Sequence, residues 1–256
     1  MLWVRGDLSR LELLSVRSFL AHGHAVHLYT YEPPANLPAG ARALDAAAIV
    51  PVALAPLRKA TPFGGGSMGV FSDHFRYLLL LERGGWWADL DVVCLRPWCF
   101  AQPALTAATD ELGYGRKANG FVLRFPAADP LIAACADVTR KLDLSQVGGD
   151  QTGPLLLNRL LTEQNRRDLM LPPPTFAPVP WNASFQLVRP LWRRFSLGEL
   201  KQRLRRPHLS SRFTRDTVDV HLWNETWRHA GRDKQATYPR SCLYERLQRR
   251  YNPSAS

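Results

Sequence analysis

Residues 71–97, with the sequence FSDHFRYLLLLERGGWWADLDVVCLRP, decide the fold class of this 256-residue chain. The apolar spacing predicts a helix over Phe71–Glu82, which Gly84-Gly85 must stop because glycine readily adopts the left-handed backbone that ends helices. The run Trp86–Asp91 then predicts a strand that enters a loop, since tryptophan is enriched in strands. The stretch is therefore a helix–turn–strand unit that ends in two aspartates.

The N-terminal residues extend this pattern into an α/β fold. An apolar run at Leu2–Arg5 and a β-rich run at Ala25–Tyr31 predict strands, and leucines at helical spacing predict a helix over Leu8–Ala21. Such a βαβ unit pairs its strands in parallel, and nucleotides usually bind at the carboxyl ends of these strands. Further elements are expected as helices over Pro130–Leu142 and Asp150–Leu161 and an extended proline-rich connector over Leu171–Pro180.

Length and composition favour one globular domain. With 46% hydrophobic and 10% aromatic residues, the chain can bury a large core. Its longest apolar runs fall far short of the roughly 20 residues of a membrane-spanning helix, and the first residues do not resemble a leader peptide. The cysteines follow neither a metal-knuckle nor a dense disulfide spacing, so free thiols are expected at Cys94, Cys99, Cys135 and Cys242. These features predict a cytoplasmic protein.

The charge balance favours anionic partners. Lys and Arg number 33 against 22 Asp and Glu, a net charge of +11, and nine of the basic residues lie in Arg189–Arg215 beside a single acid. Three interpretations of this stretch stay open: a basic amphipathic helix in peripheral contact with an anionic membrane, a solvated helix face, and a loop over the donor. A nucleic-acid-binding protein would also fit a pI near 10.0, but it leaves the paired aspartates unexplained, and no nucleic-acid partner is expected.

The aspartates of the opening stretch suit a divalent metal. If Trp86–Asp91 is extended, Asp89 and Asp91 lie on one side of the strand, one pleat apart, while Leu90 faces the core. Two carboxylates placed in this way can bind one cation, which can neutralise a departing diphosphate. A D-x-D pattern alone is common in solvated loops and capping turns, so its weight comes from the buried strand edge on which the pair is expected.

The same stretch resembles a known family. Ser72-Asp73, Arg76-Tyr77 and Gly84–Asp91 fill every fixed position of the pattern S-D-x-x-R-Y followed by G-G-x-[YW]-x-D-x-D. The chain thereby resembles the DXD sugar-transferase family, which includes α-1,4-galactosyltransferases, fungal initiating α-1,6-mannosyltransferases and bacterial polysaccharide enzymes, with the large glucosylating toxins as distant relatives. The opening residues from Trp3 to His24 also resemble bacterial members, so the likeness covers most of residues 1–160.

The resemblance implies a fold and an activity. The fold would be of the GT-A type, with a Rossmann-like central mixed sheet flanked by helices. Residues 1–256 would form one glycosyltransferase domain, in which 1–125 bind the nucleotide-sugar and the metal and 126–256 lie on the acceptor side. The activity would be retaining hexosyl transfer in polysaccharide biosynthesis, with Mn²⁺ or Mg²⁺ as the cofactor. The partners would be a UDP-sugar, or else GDP-mannose, and a saccharide or lipid-linked saccharide acceptor.

The resemblance also assigns roles to the acids and the arginine of the motif. Asp73 would hold hydroxyls of the donor sugar, and Arg76 would orient the donor. Asp89 would contact ribose or sugar, and Asp91 would bind the metal most directly, so both are candidate catalytic residues. The alternative for Asp73 and Arg76 is a surface ion pair between residues three apart on one helix.

Two further residues are assigned to the donor. Trp3 ends the first predicted strand, where its ring could stack on the nucleobase, although aromatic residues also serve as plain core. Asn119 is expected with Gly120 in a short turn before the strand-like run Phe121–Leu123, where its amide would donate to a sugar hydroxyl. Its alternative is a turn residue that tolerates left-handed backbone.

The later part of the chain supplies candidates for the acceptor side and the metal. Asp150 and Gln151 begin a predicted helix beside a T-G-P segment that resembles the family's, so they are assigned to the acceptor or reaction centre, with helix capping as the alternative for Asp150. His221 lies in Val218–Trp227, which resembles the family's late H-x-W segment. It would be a third metal ligand or a diphosphate contact, and imidazole suits manganese. A hydrogen-bonded core histidine is its alternative.

No residue stands out as a general base. A retaining transferase can proceed by front-face attack, in which the leaving diphosphate accepts the proton, so positioning and charge carry most of the catalysis. The remaining alternative to an active enzyme is a catalytically weak relative that binds nucleotide-sugars or carbohydrates.

Overall fold

The computed structural model describes residues 1–54, 68–111, 115–147, 149–190 and 211–252. Strands and helices are mixed along these residues, so the predicted α/β class is confirmed. The strands are β1 (Leu2–Trp3), β2 (His27–Thr30), β3 (Arg42–Asp45), β4 (Gly85–Ala88), β5 (Val92–Cys94), β6 (Leu105–Glu111), β7 (Gly115–Phe125) and β8 (Asp219–His221). The α-helices are α1 (Arg10–Ala21), α2 (Met68–Arg83), α3 (Pro130–Arg140), α4 (Gly149–Thr152), α5 (Pro154–Glu163), α6 (Asn224–His229) and α7 (Leu243–Tyr251).

The predicted N-terminal βαβ unit is confirmed. Strand β1 pairs in parallel with β2, with Leu2 opposite Tyr29, and β2 pairs in parallel with β3. Helix α1 begins after Ser9, whose side chain accepts from the backbone of Leu11, while Glu12 accepts from the backbone N–H of Ser9. This reciprocal cap supplies partners for N–H groups that the first turn of a helix cannot pair by itself.

The break between α2 and β4 follows from two glycines. Gly84 and Gly85 adopt φ values of +63° and +90°, which side chains with a Cβ rarely adopt. A Cβ atom on Gly84 would also lie 2.4 Å from the backbone nitrogen of Ala127, so no larger residue fits there. The chain therefore leaves the helix and enters β4 at once, with Trp87 opposite Leu123 on β7.

The strands form three small sheets with the orders β1-β2-β3, β4-β7-β6 and β5-β8. The single central sheet implied by the resemblance is therefore not continuous across the described strands. The chain turns sharply after β4, so β5 leaves the sheet of β7 and pairs antiparallel with β8 instead. One apolar core packs around α1, β5, β8 and α7, and a second packs around α2, α3 and α5.

Several other predictions need correction or stay open. The helix expected over Asp150–Leu161 is divided into α4 and α5 because Pro154 starts a new helix after Gly153. The proline-rich connector contains a 3₁₀ turn at Pro173–Thr175. Most of the basic stretch, residues 191–210, lies outside the described residues, so the three interpretations of it are not tested.

Two expectations about the chain as a whole can be compared with the structure. All four cysteines are free, as expected; Cys99 is exposed and the other three are buried. Among the described helices, none combines the length and the apolar character needed to cross a bilayer.

Candidate functional site

The two aspartates of the D-x-D motif lie in a turn. The predicted strand through Asp91 ends at Ala88, and the N–H of Val92 then donates to the carbonyl of Asp89 over 3.2 Å. The N–H of Asp89 still donates to the carbonyl of Phe121 over 2.8 Å, which ties the turn to β7. The carboxylates therefore converge because the chain turns between them, and the prediction that they share one face of an extended strand is wrong.

The aspartates form a group with His221 that could hold a metal ion. One ligand atom from each of Asp89, Asp91 and His221 lies within 4.8 Å of the others. Nε2 of His221 is 3.1 Å from Oδ1 of Asp91, and the backbone N–H of Asn224 donates to Oδ2 of Asp91 over 2.7 Å. Burial raises the pKa of Asp91, but His221 and the N–H of Asn224 outweigh it and hold the pKa below its usual value. Asp91 is therefore ionised at neutral pH, as a metal ligand must be.

Aromatic packing fixes the imidazole of His221. Its ring stacks on Phe121 at a centroid distance of 4.2 Å and lies 3.9 Å from the ring of Trp223. Strand β8 ends at His221, and Trp223 has left-handed backbone with φ +58°, so the two side chains do not lie on one face of a strand. The rings meet because the chain reverses. Two carboxylates and one imidazole suit Mn²⁺ or Mg²⁺, with the imidazole favouring manganese.

A buried arginine lies beside the metal-ligand group. The guanidinium of Arg76 approaches Asp89 Oδ1 at 3.0 Å and Asp73 Oδ1 at 3.4 Å, and it donates to Ser72 Oγ over 3.0 Å. It also lies 5.0 Å from the ring centroid of Trp87. The side chain of Arg76 is only 6% exposed and that of Asp73 only 11%. The surface ion pair considered for these two residues is therefore excluded.

The backbone of β7 leaves room for this guanidinium. A Cβ atom on Gly120 would lie 2.5 Å from Nη1 of Arg76. The indole N–H of Trp87 donates to Asp89 Oδ1 over 2.7 Å, so that oxygen is held by both Trp87 and Arg76. Arg76 and Trp87 thus hold Asp89 in one position.

Asp73 connects this cluster to α4. The hydroxyl of Thr152 donates to Asp73 Oδ2 over 2.9 Å, and the hydroxyl of Tyr77 donates to the carbonyl of Thr152 over 3.0 Å. Burial raises the pKa of Asp73 to about 6, although Arg76 and the hydrogen bond from Thr152 act in the opposite direction. Sequence reasoning gave Thr152 and Tyr77 no role, although both lie inside the quoted motifs.

No described contact connects the other predicted site residues to this cluster. The indole of Trp3 donates to the carbonyl of Gly6 over 2.7 Å, and Lys234 Nζ lies 5.9 Å from its ring. Asn119 lies inside β7, opposite Ala107, so the turn predicted for it is wrong; a bulge follows it, because the next β7 residue paired with β6 is Leu123, opposite Thr106. Gln151 is exposed on α4, and the side chain of Asp150 lies outside the described part of the structure.

The fold and the site define an α/β protein with a candidate divalent-metal centre of two aspartates and one histidine. No family model and no curated protein matches the chain. Among solved structures, the chain is similar to "PaToxG Glycosyltransferase" at 12% identity and a TM-score of 0.46, with 83% of this chain and 84% of that chain covered. A likeness at this level does not by itself establish a fold or an activity.

Proposed function

We propose that the protein is a metal-dependent, retaining glycosyltransferase that moves a hexose from a nucleotide-sugar donor to a saccharide or lipid-linked saccharide. The observation that carries this proposal is the convergence of Asp89, Asp91 and His221 within 4.8 Å, beside the buried pair of Asp73 and Arg76. A UDP-sugar is the favoured donor, with GDP-mannose as the alternative.

The metal-ligand group fits Mn²⁺ or Mg²⁺. Asp91 is held ionised by its neighbours, and Asp89 and His221 add an oxygen and a nitrogen ligand. When bound, the cation would act as a Lewis acid that neutralises the departing diphosphate. We assign Asp91 as the principal ligand because its carboxylate touches His221 directly.

The buried cluster would orient the donor. The guanidinium of Arg76 presents fixed donors that suit a phosphate or a sugar hydroxyl, and ionised Asp73 accepts from hydroxyls. Trp3 is proposed to stack on the nucleobase and Asn119 to contact the donor sugar. Each of these roles positions the donor without forming a covalent bond to it.

The reaction needs no protein nucleophile in this scheme. The bond between the anomeric carbon and the diphosphate oxygen breaks, and a bond to the acceptor oxygen forms on the same face. The acceptor proton passes to the departing diphosphate. Asp150 and Gln151 are proposed to lie on the acceptor side, because the helix that carries them is tied to Asp73 through Thr152.

A screen of UDP- and GDP-sugars tests the proposal. We expect one donor to be hydrolysed or transferred only with manganese, and Asp91→Ala to lower turnover roughly thousandfold. Asp137→Ala is the matched control, since that carboxylate is 63% exposed on α3. If no donor binds, or if turnover is indifferent to both manganese and Asp91→Ala, the proposal is wrong. Binding without any turnover would instead identify a catalytically weak relative.

The stereochemistry and the third ligand have separate tests. The anomeric configuration of the product, read by NMR, should match that of the donor; inversion would contradict the front-face scheme. His221→Ala should weaken manganese binding roughly ten- to hundredfold, measured by titration calorimetry. Unchanged manganese affinity would remove His221 from the ligand set.

A further inference from the structure

Three exposed aromatic side chains lie far from the acidic cluster in sequence. Trp181 is 45% exposed, Phe185 40% and Phe213 51%. Trp181 and Phe185 belong to the 3₁₀ helix Trp181–Leu187, whose other large apolar side chain, Leu187, is fully buried. Single exposed apolar residues are common, but several on one surface indicate an interaction site.

Hydrogen bonds bring together the two segments that carry these residues. The N–H of Arg212 donates to the carbonyl of Pro178 over 2.7 Å, and the hydroxyl of Ser211 donates to Gln186 Oε1 over 2.6 Å. The segment that carries Phe213 therefore runs alongside residues 178–186. We call the surface formed by Trp181, Phe185, Phe213, Arg212 and Arg215 the aromatic–basic surface.

The charge of this surface is mainly positive. Arg212 and Arg215 are both exposed, and Arg96, also exposed, donates to the carbonyl of Arg215 over 2.6 Å. The neighbouring acid is Asp216. Three guanidinium groups beside one carboxylate leave an excess of positive charge next to the aromatic side chains.

A cavity of about 250 Å³ opens beside the aromatic–basic surface. Its polar lining comes from Arg116, Arg212, Asp110 and Thr109, and its apolar lining comes from prolines of the connector. It adjoins the aromatic side chains because Pro180, which precedes Trp181, and Arg212, which precedes Phe213, both line it. Two guanidinium groups at one cavity suit a phosphate group.

We propose that the aromatic–basic surface docks the protein on an anionic lipid bilayer, with a headgroup phosphate in the adjoining cavity. Tryptophan and phenylalanine settle at the interface between headgroups and acyl chains, where they bury apolar surface. Arginines pair with phosphates, and each basic residue near an anionic membrane strengthens binding about fivefold. This inference goes beyond the proposed sugar transfer and does not depend on it.

A bilayer fits the surface better than a nucleic acid does. A nucleic acid would gain mainly from the arginines, whereas a bilayer gains from the exposed apolar side chains as well as from the charge. Binding to a bilayer should therefore require both the arginines and the aromatic residues.

Flotation of the full chain with lipid vesicles tests the proposal. We expect binding to vesicles of phosphatidylcholine with about one third phosphatidylglycerol, and little binding to phosphatidylcholine alone. Changing Trp181, Phe185 and Phe213 together to serine should lower the bound fraction at least roughly tenfold. Leu155→Ser with Leu54→Ser is the matched control, because these apolar side chains are 64% and 54% exposed elsewhere.

A second pair of variants tests the charge. Arg212→Glu with Arg215→Glu should also lower binding at least roughly tenfold, whereas Arg140→Glu with Arg159→Glu should not, since those arginines are exposed on α3 and α5. Donor hydrolysis in solution should be unchanged in all four combined variants, which separates a failure of docking from a failure of the proposed enzyme activity.

Quenching by brominated lipid gives a direct readout of insertion. The protein has eight tryptophans, so the contribution of Trp181 is the difference between the wild-type chain and Trp181→Phe. This difference should be quenched by bromine near the headgroups. The proposal is overturned if the wild-type chain does not float with anionic vesicles, or if both surface variants float as well as their controls. Stronger binding to single-stranded RNA than to anionic vesicles, unaffected by the aromatic variant, would also overturn it.

Discussion

Asp91 and Asp219 lie near opposite ends of the two-stranded sheet of β5 and β8, and they have opposite environments. Asp91 lies next to His221, and both of its oxygens have partners. Asp219, opposite Cys94, is fully buried, and neither of its oxygens has a hydrogen-bond partner within the described part of the chain. Burial alone therefore does not make an acid a metal ligand; the convergence of other ligands does.

The two environments also shift the pKa values of the two acids in opposite directions. His221 and the N–H of Asn224 keep Asp91 ionised, while burial raises the pKa of Asp219 well above its usual value, so its proton is retained to higher pH. The thiol of Cys94 beside it has a pKa raised to about 12, by burial first and then by Asp219. The surroundings thus favour the charged carboxylate at one end of the sheet and the protonated carboxyl at the other.

The largest expected difference between substitutions of Asp91 and Asp219 is in turnover. Asp91→Asn removes the ionised ligand and should lower manganese-dependent donor turnover roughly thousandfold, equivalent to about 4 kcal/mol. Asp219→Asn changes the same atoms at the other end of the sheet and should leave turnover within about threefold. Initial rates at saturating donor check both values; equal losses would mean that the two acids act together.

Stabilisation by manganese should give the next largest difference. At a free manganese concentration about a hundred times the Kd, the wild-type chain and Asp219→Asn should each gain about 2.7 kcal/mol of unfolding free energy. Asp91→Asn should gain almost none. Denaturant unfolding with and without the metal measures these gains, and magnesium provides a comparison ion. A full gain in Asp91→Asn would place the metal elsewhere.

The pH dependence of stability should have opposite signs at the two acids. The lowered pKa of Asp91 stabilises the fold above the unfolded value near 3.9 and loses this effect as the pH falls through the folded pKa. The raised pKa of Asp219 has the opposite consequence: its contribution is fullest below about 3.9 and is lost as the pH rises through the folded pKa.

A tenfold difference in proton affinity between the folded and unfolded chain corresponds to about 1.4 kcal/mol, so unfolding curves at several pH values can resolve the signs. As the pH rises, the free energy of unfolding of Asp219→Asn should increase relative to that of the wild-type chain. Asp91→Asn should have a lower free energy of unfolding than the wild-type chain, and this difference should become smaller as the pH falls. Two difference curves of the same sign would contradict the assignment.

The smallest predicted effect concerns the close approach of Gly120 to the guanidinium of Arg76, which lies beside Asp89. Gly120→Ala places a Cβ atom 2.5 Å from a guanidinium that Asp73 and Asp89 hold in place, so it should cost about 1–2 kcal/mol of unfolding free energy. Combined with Arg76→Ala, the same substitution should cost much less than it does alone, because the clash is gone. Additive losses in this double-mutant cycle would show that the strain lies elsewhere.

Local patterns predicted the elements well. The helix over Phe71–Glu82, its glycine stop and the N-terminal βαβ unit each depend on spacing within a few residues, and all three are present. The motif also indicated which side chains would converge. Asp73 and Arg76 are buried together, and Asp91 contacts His221, 130 residues further along the chain.

The other features could not be predicted because they depend on contacts between residues that are distant in sequence. The turn at Asp89 exists because β5 pairs with β8 rather than continuing β4, and residues 85–94 alone do not reveal that partner. Asn119-Gly120 has the composition of a turn, yet both residues lie inside β7, where Asn119 pairs with Ala107 of β6 and a bulge follows. Thr152 reaches Asp73 across 79 residues, so its role depends on how α4 packs against α2.

The backbone at Trp223 is strained, and the same conformation positions the groups around it. For a bulky side chain, backbone at φ +58° costs on the order of 1–3 kcal/mol. The same reversal lets the indole donate to the carbonyl of Val179 and lets the next N–H, that of Asn224, donate to Asp91. Glycine at this position would relieve the strain, but it would also remove a side chain that is only 7% exposed and loosen the amide that orients Asp91. Trp223→Gly should therefore lower the free energy of unfolding and also weaken metal binding at the proposed site, because one residue supports both the core and the orientation of Asp91.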